Sequence, residues 1–258
     1  MAVSEGVDDL TTIFGVDIGG SGIRGAPVDV FSGAFTARRR EYPTPQLATP
    51  ASVAETLRGL TRHFGWEGLI GCAFPAVVRA GVAHTASNVD ESWIGMNARD
   101  LFSKASGCAL TVLNDADAAG MAEMELGAGR DESGVVMVLI FGTGIGSALF
   151  ADGKLLANVE IGRVDFGGEA AELRAAARCR TDEALNWEAW ARRVQLFLDY
   201  LDMLFFPDVF ITGRAIIRDH ARFLPLLRTR ARLTPARFFN DAVIIGAALA
   251  ANAHGAAK

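Results

Sequence analysis

Apolar residues along this chain follow two rhythms. Short runs punctuated by glycine or proline predict strands: residues 12–16, 23–30, the segment "GAFTARRREYPTP" (33–45), "GLIGCAFPA" (68–76), "VVRAGVAHT" (77–85), 109–113, 135–141, Ser147 to Phe150 and "DVFIT" (208–212). Longer stretches with apolar residues three and four apart predict helices at "ASVAETLRGLTRHFG" (51–65), from Ala98, after Asp115, at "EAAELRAAARCR" (169–180), from Asn186 to Phe205, from about Ala215, and at the closing "NDAVIIGAALAANA" (240–253). Strands come first and helices dominate the end, which gives an α/β class.

Two glycine-rich turns stand out within this pattern. "GVDIGGSGIRG" joins the first two strands, and "FGTGIGSAL" repeats the device about 125 residues later, between strands 135–141 and 147–150. One such turn is met equally by a tight hairpin and by an anion cradle, because glycines leave successive backbone N–H groups uncovered. Two in corresponding places imply a duplicated domain whose hairpins hold a phosphate chain. A third junction, "LNDADAAG", ends a strand in Asn114 and Asp115 as a helix begins. That is the usual address of a site in an open sheet, and a helix cap also wants such residues, though a cap requires only one.

Composition narrows the classes. Of the 258 residues half are apolar, enough for a large core, and the net charge of −5 argues against a nucleic-acid binder. Cys72, Cys108 and Cys179 are scattered, which predicts buried thiols in a reducing, cytoplasmic setting and no structural zinc. The N-terminus lacks a signal-like apolar stretch and no run approaches the roughly 18 apolar residues of a membrane span, so no membrane partner is expected. Arg38, Arg39 and Arg40 read as a solvated strand edge, and Trp187 with Trp190 as core or lobe packing.

"DIGGSGIRG", "LNDADAAG" and "FGTGIGSAL" resemble the first phosphate, catalytic-aspartate and second phosphate motifs of the sugar-kinase, hsp70 and actin superfamily, and within it the ROK family of sugar kinases. "YPTPQLATP", "SNVDESWIG", "LNWEAWARRVQLFLDYLDMLFFPDVFI" and "DAVIIGAA" resemble the branch of that family that uses polyphosphate. The resemblance implies a two-lobed actin-like fold, each lobe a ribonuclease-H-like sheet with helices, with an inter-lobe cleft. The lobes would be residues 1–113 and 114–258, the last helix able to pack back on the first lobe.

It also implies phosphoryl transfer from polyphosphate or ATP to the 6-hydroxyl of glucose or a related hexose, with Mg²⁺ and a homodimer. Asp115 matches the catalytic base; beside a helix N-terminus it should stay ionised. Asn88, Asp90, Asn114 and Glu160 match sugar ligands, while the alternative of a plain surface turn fits Asp90 better than Asn88, with Trp93 packing under that loop. Asp17 matches the metal-organising position. Gly19, Gly20, Ser21, Gly22 and Arg24 belong to the first phosphate motif, and Gly142, Thr143, Gly144 and Gly146 to the second.

Four departures from the family pattern stand near the site, one of them spanning two residues. Arg163 replaces a histidine that would hydrogen-bond the sugar, with a longer, permanently charged donor. Arg214 and Ala215 replace a glycine run that admits a nucleoside; the Arg214 guanidinium suits an extended phosphate chain and favours polyphosphate over ATP. Arg24 stands for a lysine and Val243 for a glycine. Two alternatives stay open: an ATP-dependent hexose or amino-sugar kinase, and, on the strength of these departures, a sugar-binding or regulatory relative that keeps the fold with weakened or lost turnover. With only a dozen residues before the first strand, no DNA-binding extension is expected.

Overall fold

The computed structural model describes residues 11–213 and 219–255. In chain order the elements are β1 (Thr12–Ile18), β2 (Gly22–Asp29), β3 (Arg40–Pro43), α1 (Pro50–Phe64), β4 (Ile70–Phe74), the short β5 (Val78–Arg79) and β6 (Val82–Ala83), α2 (Ala98–Ser106), β7 (Leu110–Asn114) and α3 (Asp115–Leu126). Then follow β8 (Val135–Phe141), β9 (Ile145–Ala151), β10 (Lys154–Leu156), α4 (Glu172–Ala175), α5 (Ala177–Asp182), α6 (Trp187–Phe205), β11 (Val209–Gly213), α7 (His220–Phe223), β12 (Arg232–Pro235) and α8 (Ala242–Gly255).

The duplication is visible strand for strand. One five-stranded sheet has the order β3-β2-β1-β4-β7 and the other β10-β9-β8-β11-β12. In each, three consecutive strands form an antiparallel meander, and two further strands add in parallel beside the first of them. The chain divides into two compact units: the described residues up to Ala118 with those from Val243, and Ala119–Ala242.

In the first unit, α1 starts where Thr49 accepts the Ser52 N–H and Pro50 fixes the first turn, and it stops at Gly65 in the left-handed region (φ 57°). Its buried face, Val53, Leu57 and Leu60, joins Phe14, Val16 and Ile18 of β1 in one core. Trp93, Phe74 and Phe102 complete that core, with Trp93 and Phe74 ring centroids 4.5 Å apart. Helix α8 makes unusually close backbone contact. A methyl group on Gly15 would overlap the Ile244 carbonyl, one on Gly71 the Ala247 carbonyl, and one on Gly246 the Ala118 carbonyl. Gly15 and Gly71 are register partners in β1 and β4, so this pair of strand glycines forms a groove for the helix backbone. Val243, the residue in place of a family glycine, is buried near the start of that helix.

In the second unit, α6 buries Trp190, Val194, Phe197 and Leu201 against Met137, Leu139 and Phe141 of β8. The Trp190 indole N–H donates to the carbonyls of Ala175 and Ala176, which accounts for the core reading of that residue. Gly120 of α3 lets that helix approach Ala148 and Phe150 of β9.

Several element assignments change. The strand expected over 77–85 is two two-residue strands, β5 and β6. The strand expected from Gly33 begins at Arg40, leaving Arg38 and Arg39 outside it. β3 is the sheet edge, and Arg38 and Arg40 are exposed, as the solvated-edge reading has it. The helix expected over 169–180 is two short ones, α4 and α5, broken where Ala176 turns extended (ψ 155°). The start of the helix expected from about Ala215 lies at 214–218, outside the described residues, and α7 covers only His220–Phe223.

Candidate active site

The first glycine turn, Gly19, Gly20 and Ser21, is the tip of the β1–β2 hairpin, closed by a hydrogen bond from the Gly19 N–H to the Gly22 carbonyl (3.0 Å). Gly22 is already the first residue of β2. The tip is tied from β3's far end: the Thr44 hydroxyl donates to the Gly19 carbonyl (2.5 Å) and the Thr44 N–H to the Ser21 carbonyl (3.3 Å). A peptide's N–H points opposite to its C=O, so the bond to the Gly19 carbonyl turns the Gly20 amide away from Thr44. The amides of Gly20 and Ser21 have no acceptor among the described residues. A methyl on Gly20 would come 2.8 Å from Asn88 Cβ, so the tip and the Asn88 loop are in contact.

Behind the tip, three strands carry a charged row. Asp17, Arg24 and Glu41 are register partners across β1, β2 and β3. Arg24 stands 3.6 Å from the Asp17 carboxylate and 3.1 Å from Glu41. The Arg24 side chain expected on phosphate thus lies between two carboxylates. Asp17 is 3 % exposed. Its carboxylate oxygen is the right donor type for Mg²⁺, and no cluster of three or more His, Cys, Asp or Glu is placed to hold a metal among the described residues. A hard cation that binds through one or two carboxylates and its substrate's phosphates fits such a site.

Asn88 takes a left-handed backbone (φ 62°), which asparagine tolerates, and is exposed. Two residues on, the Asp90 carboxylate accepts the N–H of Ser92 (2.9 Å) and its hydroxyl, capping the turn Glu91–Trp93. These two bonds hold the Asp90 carboxyl below its ordinary value, the hydroxyl contributing most. The Trp93 indole donates to the Ala48 carbonyl (2.8 Å) and the ring is fully buried, so the loop rests on it.

At the β7–α3 junction the two polar residues separate into two tasks. The Asn114 side-chain oxygen accepts the N–H groups of Ala116 (2.8 Å) and Asp117 (3.1 Å), and its amide donates to the Ala76 carbonyl (3.0 Å). Asn114 is therefore the cap. Asp115, the first residue of α3 and only half-buried, accepts the Ala116 N–H (2.9 Å) on one oxygen.

The second unit carries the corresponding hairpin. Gly142, Thr143 and Gly144 link β8 to β9, with the Gly142 N–H bonded to the Gly144 carbonyl (2.9 Å). The amides of Thr143 and Gly144 have no acceptor among the described residues. Gly146 sits inside β9, paired with Ile140. From β9 the buried Ser147 bonds the Val159 carbonyl and accepts the Ile161 N–H (3.0 Å), fixing the one-turn helix Ile161–Arg163. Across that turn Arg163 pairs with Glu160, Nε to Oε2 3.2 Å.

Arg214 lies outside the described residues. The sequence reading missed Thr44, Glu41, Ser147 and Glu172, which bonds the Ile145 amide in the second hairpin (3.2 Å). Each reaches its target across 12 to 27 positions or between strands, a relation no local spacing encodes. "YPTP" was the one available signal, since Thr44 lies in it.

Twin sheets with a glycine hairpin in each, and a strand ending in Asn-Asp, define the class: the chain belongs to the ROK family, whose sequence pattern matches residues 13–173. It is similar to the polyphosphate glucokinase of Mycobacterium tuberculosis (strain CDC 1551 / Oshkosh), 45% identical over 238 residues, 92% of this chain and 90% of that protein. In structure it is similar to the inorganic polyphosphate/ATP-glucomannokinase from Arthrobacter sp. strain KM, with TM-score 0.90 and 38% identity over 95% of this chain and 99% of that one. A ROK family glucokinase from Streptomyces griseus in complex with glucose and AMPPNP shares the fold, with TM-score 0.80 and 20% identity over 94% of this chain and 99% of that one.

Proposed function

We propose that the protein transfers the terminal phosphoryl group of inorganic polyphosphate, with ATP as the alternative donor, to the 6-hydroxyl of glucose or a related hexose. One observation carries the reading: each glycine hairpin presents two adjacent backbone amides without an acceptor among the described residues, Gly20 and Ser21 in the first unit, Thr143 and Gly144 in the second. Such pairs are suited to phosphoryl oxygens and have no evident use in packing. The identity to polyphosphate glucokinase across 92% of the chain supports the same reaction class.

Phosphoryl transfer asks the protein for positioning and charge neutralisation more than for covalent chemistry. Asp115 accepts the proton of the 6-hydroxyl as that oxygen bonds to the terminal phosphorus. The bond from that phosphorus to its bridging oxygen breaks, and the shortened polyphosphate leaves with the electron pair. The hairpin amides hold the phosphoryl oxygens throughout. Asp17 would hold Mg²⁺, which when bound neutralises charge on the phosphate chain. Asn88 and Glu160 hold sugar hydroxyls, while Asp90 and Asn114 serve chiefly to shape the loop and the junction.

The Arg163–Glu160 pair supports a second reading, a protein that holds sugar weakly and turns over slowly, because Glu160 already has a cationic partner. A reducing, cytoplasmic setting suits the three free, buried cysteines. No helix among the described residues is long and apolar enough to cross a membrane. A homodimer is the expected assembly, to be checked by light scattering.

The deciding experiment measures hexose 6-phosphate formed from glucose and Mg²⁺, with polyphosphate and with ATP side by side. Turnover with polyphosphate above ATP is the expected result. A folded sample that binds glucose and makes no product with either donor would select the second reading.

A further inference from the structure

We infer that Glu172 is a positioning residue for the donor: its carboxylate braces the second glycine hairpin so that the Thr143 and Gly144 amides are presented already ordered. The inference rests on the proposal that this hairpin holds donor phosphate.

The brace has three parts. The Ile145 N–H, the first amide of β9, donates to Glu172 Oε2 (3.2 Å). A methyl on Gly144 would overlap that same carboxylate, so a side chain there would have to push the Glu172 carboxylate aside. At the other end of the hairpin, the Arg178 N–H of α5 donates to the Gly142 carbonyl (3.1 Å). The hairpin is thus gripped at both ends from α4 and α5, leaving the amides of Thr143 and Gly144 between the grips without an acceptor among the described residues.

The supporting elements are rigid. Ala171 and Ala175 are fully buried, and the Ala175 and Ala176 carbonyls each accept the Trp190 indole N–H at 3.1 Å. Glu172 itself forms no ion pair among the described residues, so its bond to the Ile145 amide is the tie that places its carboxylate. A glycine hairpin left loose loses backbone freedom when it closes on a phosphate chain, and a brace that removes this loss in advance raises affinity. The carboxylate's charge works the other way, since it repels a polyanion; the acceptor is what the hairpin needs. Glutamine keeps the acceptor and drops the charge, which separates the two effects.

The test compares the wild type with Glu172→Gln and Glu172→Ala, measuring tripolyphosphate binding by calorimetry, then donor and glucose KM, with melting curves to show that each variant is folded. Loss of a charge-assisted bond to an ordering amide predicts that Glu172→Ala weakens tripolyphosphate binding about tenfold, that Glu172→Gln stays within about threefold of wild type, and that glucose KM is unchanged. Gly144→Ala supplies an independent check: it should weaken donor binding in the wild-type background and cost less in Glu172→Ala, where the clash is gone. Equal or tighter tripolyphosphate binding in Glu172→Ala, or a Glu172→Gln loss as large as that of Glu172→Ala, overturns the inference while leaving the function intact. A wild type that binds neither tripolyphosphate nor ATP overturns the phosphate role of the hairpin, and the inference with it.

Discussion

The Arg163 guanidinium lies 3.2 Å from the Glu160 carboxylate, and the turn that sets this distance is pinned by Ser147 at Ile161. Arg163 therefore engages the residue proposed to hold a sugar hydroxyl.

Both side chains are well exposed, so the pair contributes roughly 0.2–1 kcal/mol and yields readily. Replacing Arg163 by histidine releases the Glu160 carboxylate and restores a neutral hydrogen-bonding ring. Glucose KM should fall by up to about fivefold, with donor KM unchanged, because the competing ion pair is worth that order of energy. Steady-state kinetics at fixed polyphosphate decide it; an unchanged or higher glucose KM would show that Arg163 itself holds sugar.

Asn114 and Asp115 should respond oppositely to substitution. Asn114→Ala removes a cap and strands the Ala76 carbonyl, costing about 1–2 kcal/mol and roughly 4 °C in Tm. Asp115→Asn leaves the fold in place and abolishes turnover, since the amide cannot take the 6-hydroxyl proton. Retention of most activity by Asp115→Asn would remove that residue from the role of base.

Thr44→Val deletes the hydroxyl that draws the Gly19 carbonyl aside and keeps the shape of the side chain. Loss of one hydrogen bond at the hairpin should weaken tripolyphosphate binding roughly threefold to tenfold, and Thr44→Ser should restore it. Calorimetry with the three proteins reads this out, and a valine variant matching wild type would mean that the hairpin is ordered without Thr44.

Asp90 gives the protein an acid-sensitive loop. Its folded pKa lies below the ordinary 3.8 because the Ser92 hydroxyl and N–H donate to the ionised form. The stabilisation is therefore fully present above the unfolded value and is lost as pH falls through the folded one, below about pH 4. Wild type should melt above Asp90→Asn near pH 6, and the gap should narrow as the pH falls below about 4. A gap independent of pH would mean that the carboxylate charge is not what holds the turn.

The sheets and the hairpins were legible because they are written locally: apolar runs of strand length, then glycines, and the same device twice. The cap at Asn114 was foreseen as one of two readings, and the structure divides the labour between it and Asp115. What stayed hidden was every tie between distant positions. Glu172 looked like an ordinary helical glutamate, and the break at Ala176 that lets α4 and α5 grip the hairpin separately has no signal in an alanine-rich run. Arg24 was read by its motif as a phosphate ligand, while its cross-strand partners place it between Asp17 and Glu41, a relation set by register.

The seam of Gly15 and Gly71 under α8 bears on biosynthesis. The second unit is an insertion between the bulk of the first unit and the helix that finishes it. On the ribosome β1 and β4 emerge long before the helix whose backbone they receive, so the first unit waits with an uncovered groove while the inserted unit can already fold. Shortening the chain before Val243 would thus leave the early half of the protein as the sticky, chaperone-dependent part, even though every strand of its sheet is present.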